Sequence, residues 1–214
     1  MKKQLLTGFA VLVVLSVAAL AFVRALPNRS GAVSIDSSSK SLRDKARQSG
    51  NVTASAEPRN LKKYDELGSL ARESEVIAVG IPDSKASSLL KPNETLIVTD
   101  YQVSLSDVLK GNVTQGQKII VREPGGHVDF GDGTSADVQM PDYWKQPEIG
   151  EKYILFLKSK ADGKFSLVGG PQGLFKIAGT TVSPQGRPED KLVQTYTGKN
   201  SLSFLNEISK AIKQ

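Results

Sequence analysis

The sequence predicts a mainly β protein: a small antiparallel OB-like barrel with a flanking helix at each end, preceded by a transmembrane or signal helix and a flexible linker. Three observations lead there. Between residues 75 and 184, about six short segments alternate apolar and polar residues or run continuously apolar, with Gly, Pro, Asn and Asp between them. Residues 5–23 form an unbroken uncharged apolar run. Residues 28–59 are rich in Ser, Ala and charge and poor in large apolar side chains. The organisation that follows is 1–27 signal peptide or anchor, 28–59 disordered basic linker, and 60–214 the OB-like barrel domain with N- and C-terminal helices.

The leader comes first. A helix over 5–23 rises about 28 Å, close to the hydrocarbon thickness of a bilayer. Lys2 and Lys3 precede it, and Ala19-Leu20-Ala21 fits a signal-peptidase site. The run is longer than an ordinary signal core, which favours a retained anchor with the bulk of the chain outside the cytoplasm. The membrane, contacted through residues 5–23, is therefore the first expected partner. The expected location is extracytoplasmic, anchored in the cell membrane or secreted after cleavage.

Residues 28–59 lack the apolar surface needed to offset the entropy of ordering, so they read as a tether. In 60–75, Leu61, Tyr64, Leu67 and Ala71 share one helical face, with Asn60 placed to cap it. The period then changes. "EVIAVGIP" (75–82) reads as a buried strand ended by Pro82, and "TDYQVSLSDVL" (99–109) alternates with Tyr101, Val103 and Leu105 inward. A strand around 118–122 follows a Gly-Asn turn. "EKYILFLKS" (151–159), "FSLVGG" (165–170) and "LFKIAGTTVSP" (174–184) supply the rest, with reversals at Asp162-Gly163 and Gly179-Thr180. Gly169 to Gly173 reads as a sharp connection. The chain closes on a helix whose apolar stripe is Leu202, Leu205, Ile208 and Ile212. Small antiparallel sheets commonly close to protect their edges, hence the expected barrel.

The ordered series "SLARESEVIAVG", "TDYQVSLSDVLKG", "IIVREPGG", "IGEKYILFLK" and "LVGGPQGLFKI" resembles a group of uncharacterised bacterial exported proteins with a "VLKG … GE-YLLFL … GG-QG" pattern. More distantly it is similar to the OB-type barrels of netrin and tissue-inhibitor (NTR-like) modules. The resemblance spans about residues 66–180 and implies an exported barrel. The inhibitory members use cysteines, and this chain has none, so metalloprotease inhibition by that route is not implied.

Charge and composition narrow the function. Of 28 Lys+Arg and 22 Asp+Glu, residues 1–63 hold 11 and 3, leaving 17 and 19 for the rest. The basic excess thus sits in the N-terminal third, and the folded part lacks the field a nucleic-acid binder needs. No nucleic acid is expected as partner, and an OB-type nucleic-acid binder is the weakest alternative. Without cysteine there is neither thiolate nucleophile nor Cys-ligated zinc, and one histidine cannot build a zinc site of three or four nitrogen ligands. No metal or other cofactor is expected.

The stretch "REPGGHVDFGDGTSADV" (122–138) holds that histidine, His127, among Asp129, Asp132 and Asp137. It opens a segment, 124–148, expected to be a long loop ending near Tyr143 and Trp144, the only tryptophan. Loops of that length are commonly functional. No nucleophile elbow lies near His127, and the aspartates miss the calcium-loop spacing. No catalytic residue is assigned. His127, Asp129, Asp132, Tyr143 and Trp144 are the candidate ligand-binding set of a non-enzymatic module contacting a protein or a cell-envelope polymer. A cell-envelope hydrolase using His127 or the loop aspartates is the alternative.

Overall fold

A computed structural model describes residues 33–34, 40–58 and 61–213. The apolar run 5–23 and the capping Asn60 lie outside the described residues. Among the described residues no helix is long and apolar enough to cross a membrane.

The chain is mainly β, in two sheets with flanking helices. In chain order the strands are β1 (Val33–Ser34), β2 (Asn51–Ser55), β3 (Val76–Leu89), β4 (Ile97–Lys110), β5 (Lys118–Pro124), β6 (Gly126–Asp129), β7 (Ser135–Gln139), β8 (Lys152–Ser159), β9 (Phe165–Leu167), β10 (Leu174–Ala178) and β11 (Thr181–Pro184). The helices are α1 (Leu42–Ser49), α2 (Leu67–Glu73), α3 (Lys191–Tyr196) and α4 (Ser201–Ala211). One sheet runs β11-β10-β8-β3-β4-β5-β9, and the other β1-β2-β7-β6.

The large sheet curls but is not a closed barrel. Strand β9 pairs antiparallel with β8 over three residues and meets β5 through a single parallel pair, Val121 with Phe165. Three residues cannot carry a full seam between two seven- to eight-residue strands. The curl itself comes from β3 and β4, fourteen residues each, whose register shifts three times between Ile77 and Ser84. Each such bulge bends and twists its strand. Pro82 was expected to end β3. It sits at one of these shifts, where its missing N–H costs no regular ladder bond, and β3 continues to Leu89.

Three apolar clusters hold the molecule. Strand β8 belongs to two of them, which explains the continuous "YILFL". Tyr153, Leu155 and Leu157 face the inside of the curl with Tyr101, Val103, Leu105 and Val121. Ile154 and Phe156 face the other way, against Phe175, Leu70, Phe204 and Ile208. The α4 stripe is rotated from the expected one: Phe204, Ile208 and Ala211 are buried, Leu205 and Ile212 flank them, and Leu202 is 70% exposed. Packing decides the rotation, because the Phe204 ring centroid lies 4.8 Å from those of both Phe175 and Tyr196. The helix expected over 60–75 is only α2, and Leu61 and Tyr64 precede it in irregular chain.

The third cluster corrects the expected tether. Within residues 40–58, α1 and β2 bury Leu42, Ala46, Val52 and Ala54 against Ile97, Ala136 and Val138. Ser41 caps α1 by accepting from the Asp44 amide at 3.1 Å, and β2 pairs with β7 over five residues. Leu42 and Val52, with the small Ala46 and Ala54 between close-packed elements, bury enough surface here against Ile97, Ala136 and Val138 to order the segment.

Candidate functional site

The segment 124–148 is not a long loop. It contains β6 and β7, an antiparallel pair on the edge of the smaller sheet, followed by irregular chain over 140–149. Gly126 sets this pair against the larger sheet. Its φ is +133°, and a Cβ there would touch the Thr99 hydroxyl and reach within 2.6 Å of the Ser87 hydroxyl. Thr99 Oγ1 donates to the Gly125 carbonyl at 2.7 Å, and Gly125 N donates to the Ile97 carbonyl at 2.8 Å. The junction of the two sheets is therefore fixed at this point.

An open groove of about 570 Å³ lies at that junction, lined among others by Lys85 of β3, His127 of β6, Asp137 and Gln139 of β7, and Asp142 and Trp144. His127 and Asp137 are directly opposed across the strands, with Nδ1 and Oδ1 3.0 Å apart. With Nδ1 held, the imidazole is oriented and Nε2 is the nitrogen left for a ligand. Both side chains are more than 40% exposed.

Trp144 forms part of the groove wall yet is itself 7% exposed. Its Nε1–H donates to Glu123 Oε2 at 3.0 Å. Glu123 is 2% exposed on β5, on the same inward face as Ile119 and Val121. Burial pushes its carboxyl up to about 7, while the bonds from the Trp144 indole and the Leu167 amide pull the other way. The rest of the 140–149 segment is pinned as well. Gln146 Nε2 donates to the Pro124 carbonyl at 2.8 Å and its Oε1 accepts from Tyr101 at 3.0 Å, while the Glu148 amide donates to the Tyr153 hydroxyl at 3.0 Å. Gly170 admits the indole from the far side: a Cβ there would sit 2.6 Å from Trp144 Cη2.

The candidate residues thus divide. His127 and Trp144 line one groove, joined by Asp137. Asp129 and Asp132 do not converge on it; they organise the turn between β6 and β7. Asp129 accepts from the Gly131 amide at 2.8 Å, and Asp132 accepts from the Thr134 amide at 3.1 Å and from its hydroxyl, which holds the Asp132 carboxyl below its usual range. Tyr143 turns away to a separate cavity, where its hydroxyl accepts from Arg187 Nη2 at 2.8 Å and its ring lies under the guanidinium, 4.1 Å from the centroid. Among the described residues no three His, Asp or Glu side chains are grouped to hold a metal ion.

Compared with known proteins, the chain matches no protein-family model and no curated sequence. Its chemistry is read from its own side chains. The residue that sequence reasoning missed is Glu123, and a signal was present: in "KIIVREP" it occupies the third inward position of an alternating strand, where a carboxylate must find a donor. Gln139, Asp142 and Gln146 left no comparable mark, since only the fold brings them to the groove.

Proposed function

We propose that this protein is a non-enzymatic, extracytoplasmic binding module that holds a polar cell-envelope polymer in the groove between its two sheets. The observation that carries the reading is the groove itself. His127, Asp137, Gln139 and Asp142 present ring nitrogen, carboxylate and amide groups along an open surface beside a buried indole. Such a set suits a ligand dense in hydroxyl and amide groups, each pairing with a planar polar side chain. The openness of the groove favours a polymer passing across it over a small molecule enclosed by it. Export rests on the leader at 5–23, either retained as an anchor or cleaved after Ala21. The order of pairing, with β9 touching both β5 and β8 at the ends of β8-β3-β4-β5, supports an OB-like ancestry for the curled sheet.

A hydrolase reading has one specific support, because the His127–Asp137 pair supplies a base and the group that orients it. Among the described residues no hydroxyl is hydrogen-bonded to His127, so such a set would act on water and not through a serine or threonine. Co-sedimentation of the full chain with purified cell-wall sacculi separates the readings. The binding module is expected to pellet with the sacculi and release no soluble fragments, and His127→Ala with Asp142→Ala is expected to weaken pelleting about tenfold, or ~1.4 kcal/mol. Release of fragments by the wild type, abolished by His127→Ala, would replace this reading with the hydrolase.

A further inference from the structure

A second cavity, of about 220 Å³, lies beyond Tyr143, and Pro58, Leu61, Pro171 and Asp190 contribute to its walls. Asp190 has a side chain only 3% exposed. Its Oδ2 accepts from the Arg187 amide at 3.1 Å. Its Oδ1 is paired with the Lys63 ammonium, whose Nζ lies 2.9 Å away. This contact and the charge of Asp190 hold the Lys63 ammonium above its ordinary pKa. Lys63 belongs to the irregular chain before α2, and its side chain is 58% exposed.

The neighbouring cations are engaged elsewhere. Lys62 Nζ pairs with Glu73 at 2.9 Å. The Arg187 guanidinium stacks on Tyr143 and stands 3.7 Å from Glu57 and 4.0 Å from Glu189. Withdrawing Lys63 would leave a buried carboxylate facing the cavity with an acceptor to fill and a charge to balance. Lys63 reaches Asp190 from the solvent side, with most of its own side chain in water, so a second ammonium in solution competes directly with it for the carboxylate.

We propose that this cavity is a site for a primary alkylammonium group on an unbranched apolar stem, such as a lysine side chain, and that Lys63 occupies it as an internal stand-in. The incoming ammonium donates to Asp190 Oδ1 and takes over its charge. The stem lies against Pro58, Leu61 and Pro171, and Lys63 swings into solvent. The site is separate from the groove that holds the polymer, and either assignment stands without the other.

The test uses the full chain in nonionic detergent with n-butylammonium chloride as probe and tetramethylammonium chloride, which has no N–H to donate, as control. Lys63→Met removes the stand-in. Butylammonium is expected to bind this variant at least about tenfold more tightly than the wild type and to raise its melting temperature, with tetramethylammonium inert. Adding Asp190→Asn is expected to abolish both effects. Should Lys63→Met not fold, saturable butylammonium shifts of the Asp190 and Lys63 amide resonances in the wild type serve instead. Nα-acetyl-lysine N-methylamide distinguishes sources: binding as tight as butylammonium assigns a peptide side chain, and weaker binding assigns a free amine. Equal responses to the two ammonium salts, or a response that survives Asp190→Asn, would overturn the proposal.

Discussion

Replacing Glu123 by glutamine is expected to abolish a loss of stability that the wild type suffers as pH rises from about 4.5 to about 7. The carboxyl is buried, and its folded-state value of about 7 stands above the 4.5 of an ordinary glutamate. Within that window the folded protein keeps a proton that the unfolded chain has released, so raising the pH favours unfolding. Below the window both states are protonated and the contribution is fully present. Above it both are ionised, and the loss is complete. A difference of this size corresponds to a loss on the order of 3 kcal/mol. Glutamine keeps an oxygen for the Trp144 indole and carries no charge, so the variant should gain on the wild type as pH rises. The quantity to measure is the difference in urea-unfolding free energy between the two proteins at pH 4.5 and pH 8. A pH-independent difference would mean that Glu123 is not desolvated as the fold implies.

The second large effect concerns the partner of that carboxyl. Trp144→Ala removes a buried indole and takes from Glu123 its only side-chain donor. The expected loss is about 3–5 kcal/mol, the range for truncating a buried aromatic residue. Trp144→Phe retains most of the apolar surface and should cost less, about 1–3 kcal/mol, for leaving a buried acceptor short of a donor. The two variants also differ in what they do to pH dependence. The indole bond holds the Glu123 carboxyl down, so its loss in Trp144→Phe should raise the carboxyl further and extend the window of falling stability to higher pH. Circular dichroism through urea titrations follows both, since the tryptophan signal is gone. In the Glu123→Gln background the pH effect of Trp144→Phe should vanish, which makes the pair a double-mutant cycle.

How much of this was legible beforehand depended on how a segment is stabilised. Alternation in "TDYQVSLSDVL" placed Tyr101, Val103 and Leu105 correctly, because one face of that strand is buried and the other is half-open. The Asp162-Gly163 and Gly179-Thr180 reversals also stand, since local backbone preference decides them. Residues 42–55 misled for the opposite reason. Their helix and strand bury only Leu42, Ala46, Val52 and Ala54 of their own, and the rest of that cluster, Ile97, Ala136 and Val138, comes from distant parts of the chain, so the segment by itself shows too little apolar surface to read as ordered. The capping pair Ser41 and Asp44 was the available clue.

The same contrast runs through the site. "GGHVDFGDGTSADV" looked like a loop because glycines and aspartates dominate it, yet those residues make the turn between two short strands, and His127 and Asp137 face each other because that turn closes. Tyr143 and Trp144, adjacent in sequence, point into different cavities, as successive side chains of an extended segment tend to do. Asp129 and Asp132 are near His127 along the chain, but they lie at the β6–β7 turn and do not line the groove. Strand pairing, and not sequence distance, selects what meets at the groove.

The emission of Trp144, the only tryptophan, is the most direct probe of whether that groove holds a ligand without transforming it. Soluble cell-wall glycan fragments titrated into the full chain should produce a saturable change in emission, with the fragments recovered at their original length. Fragments that bind by calorimetry while the emission stays constant, or that are shortened on incubation, would contradict the account.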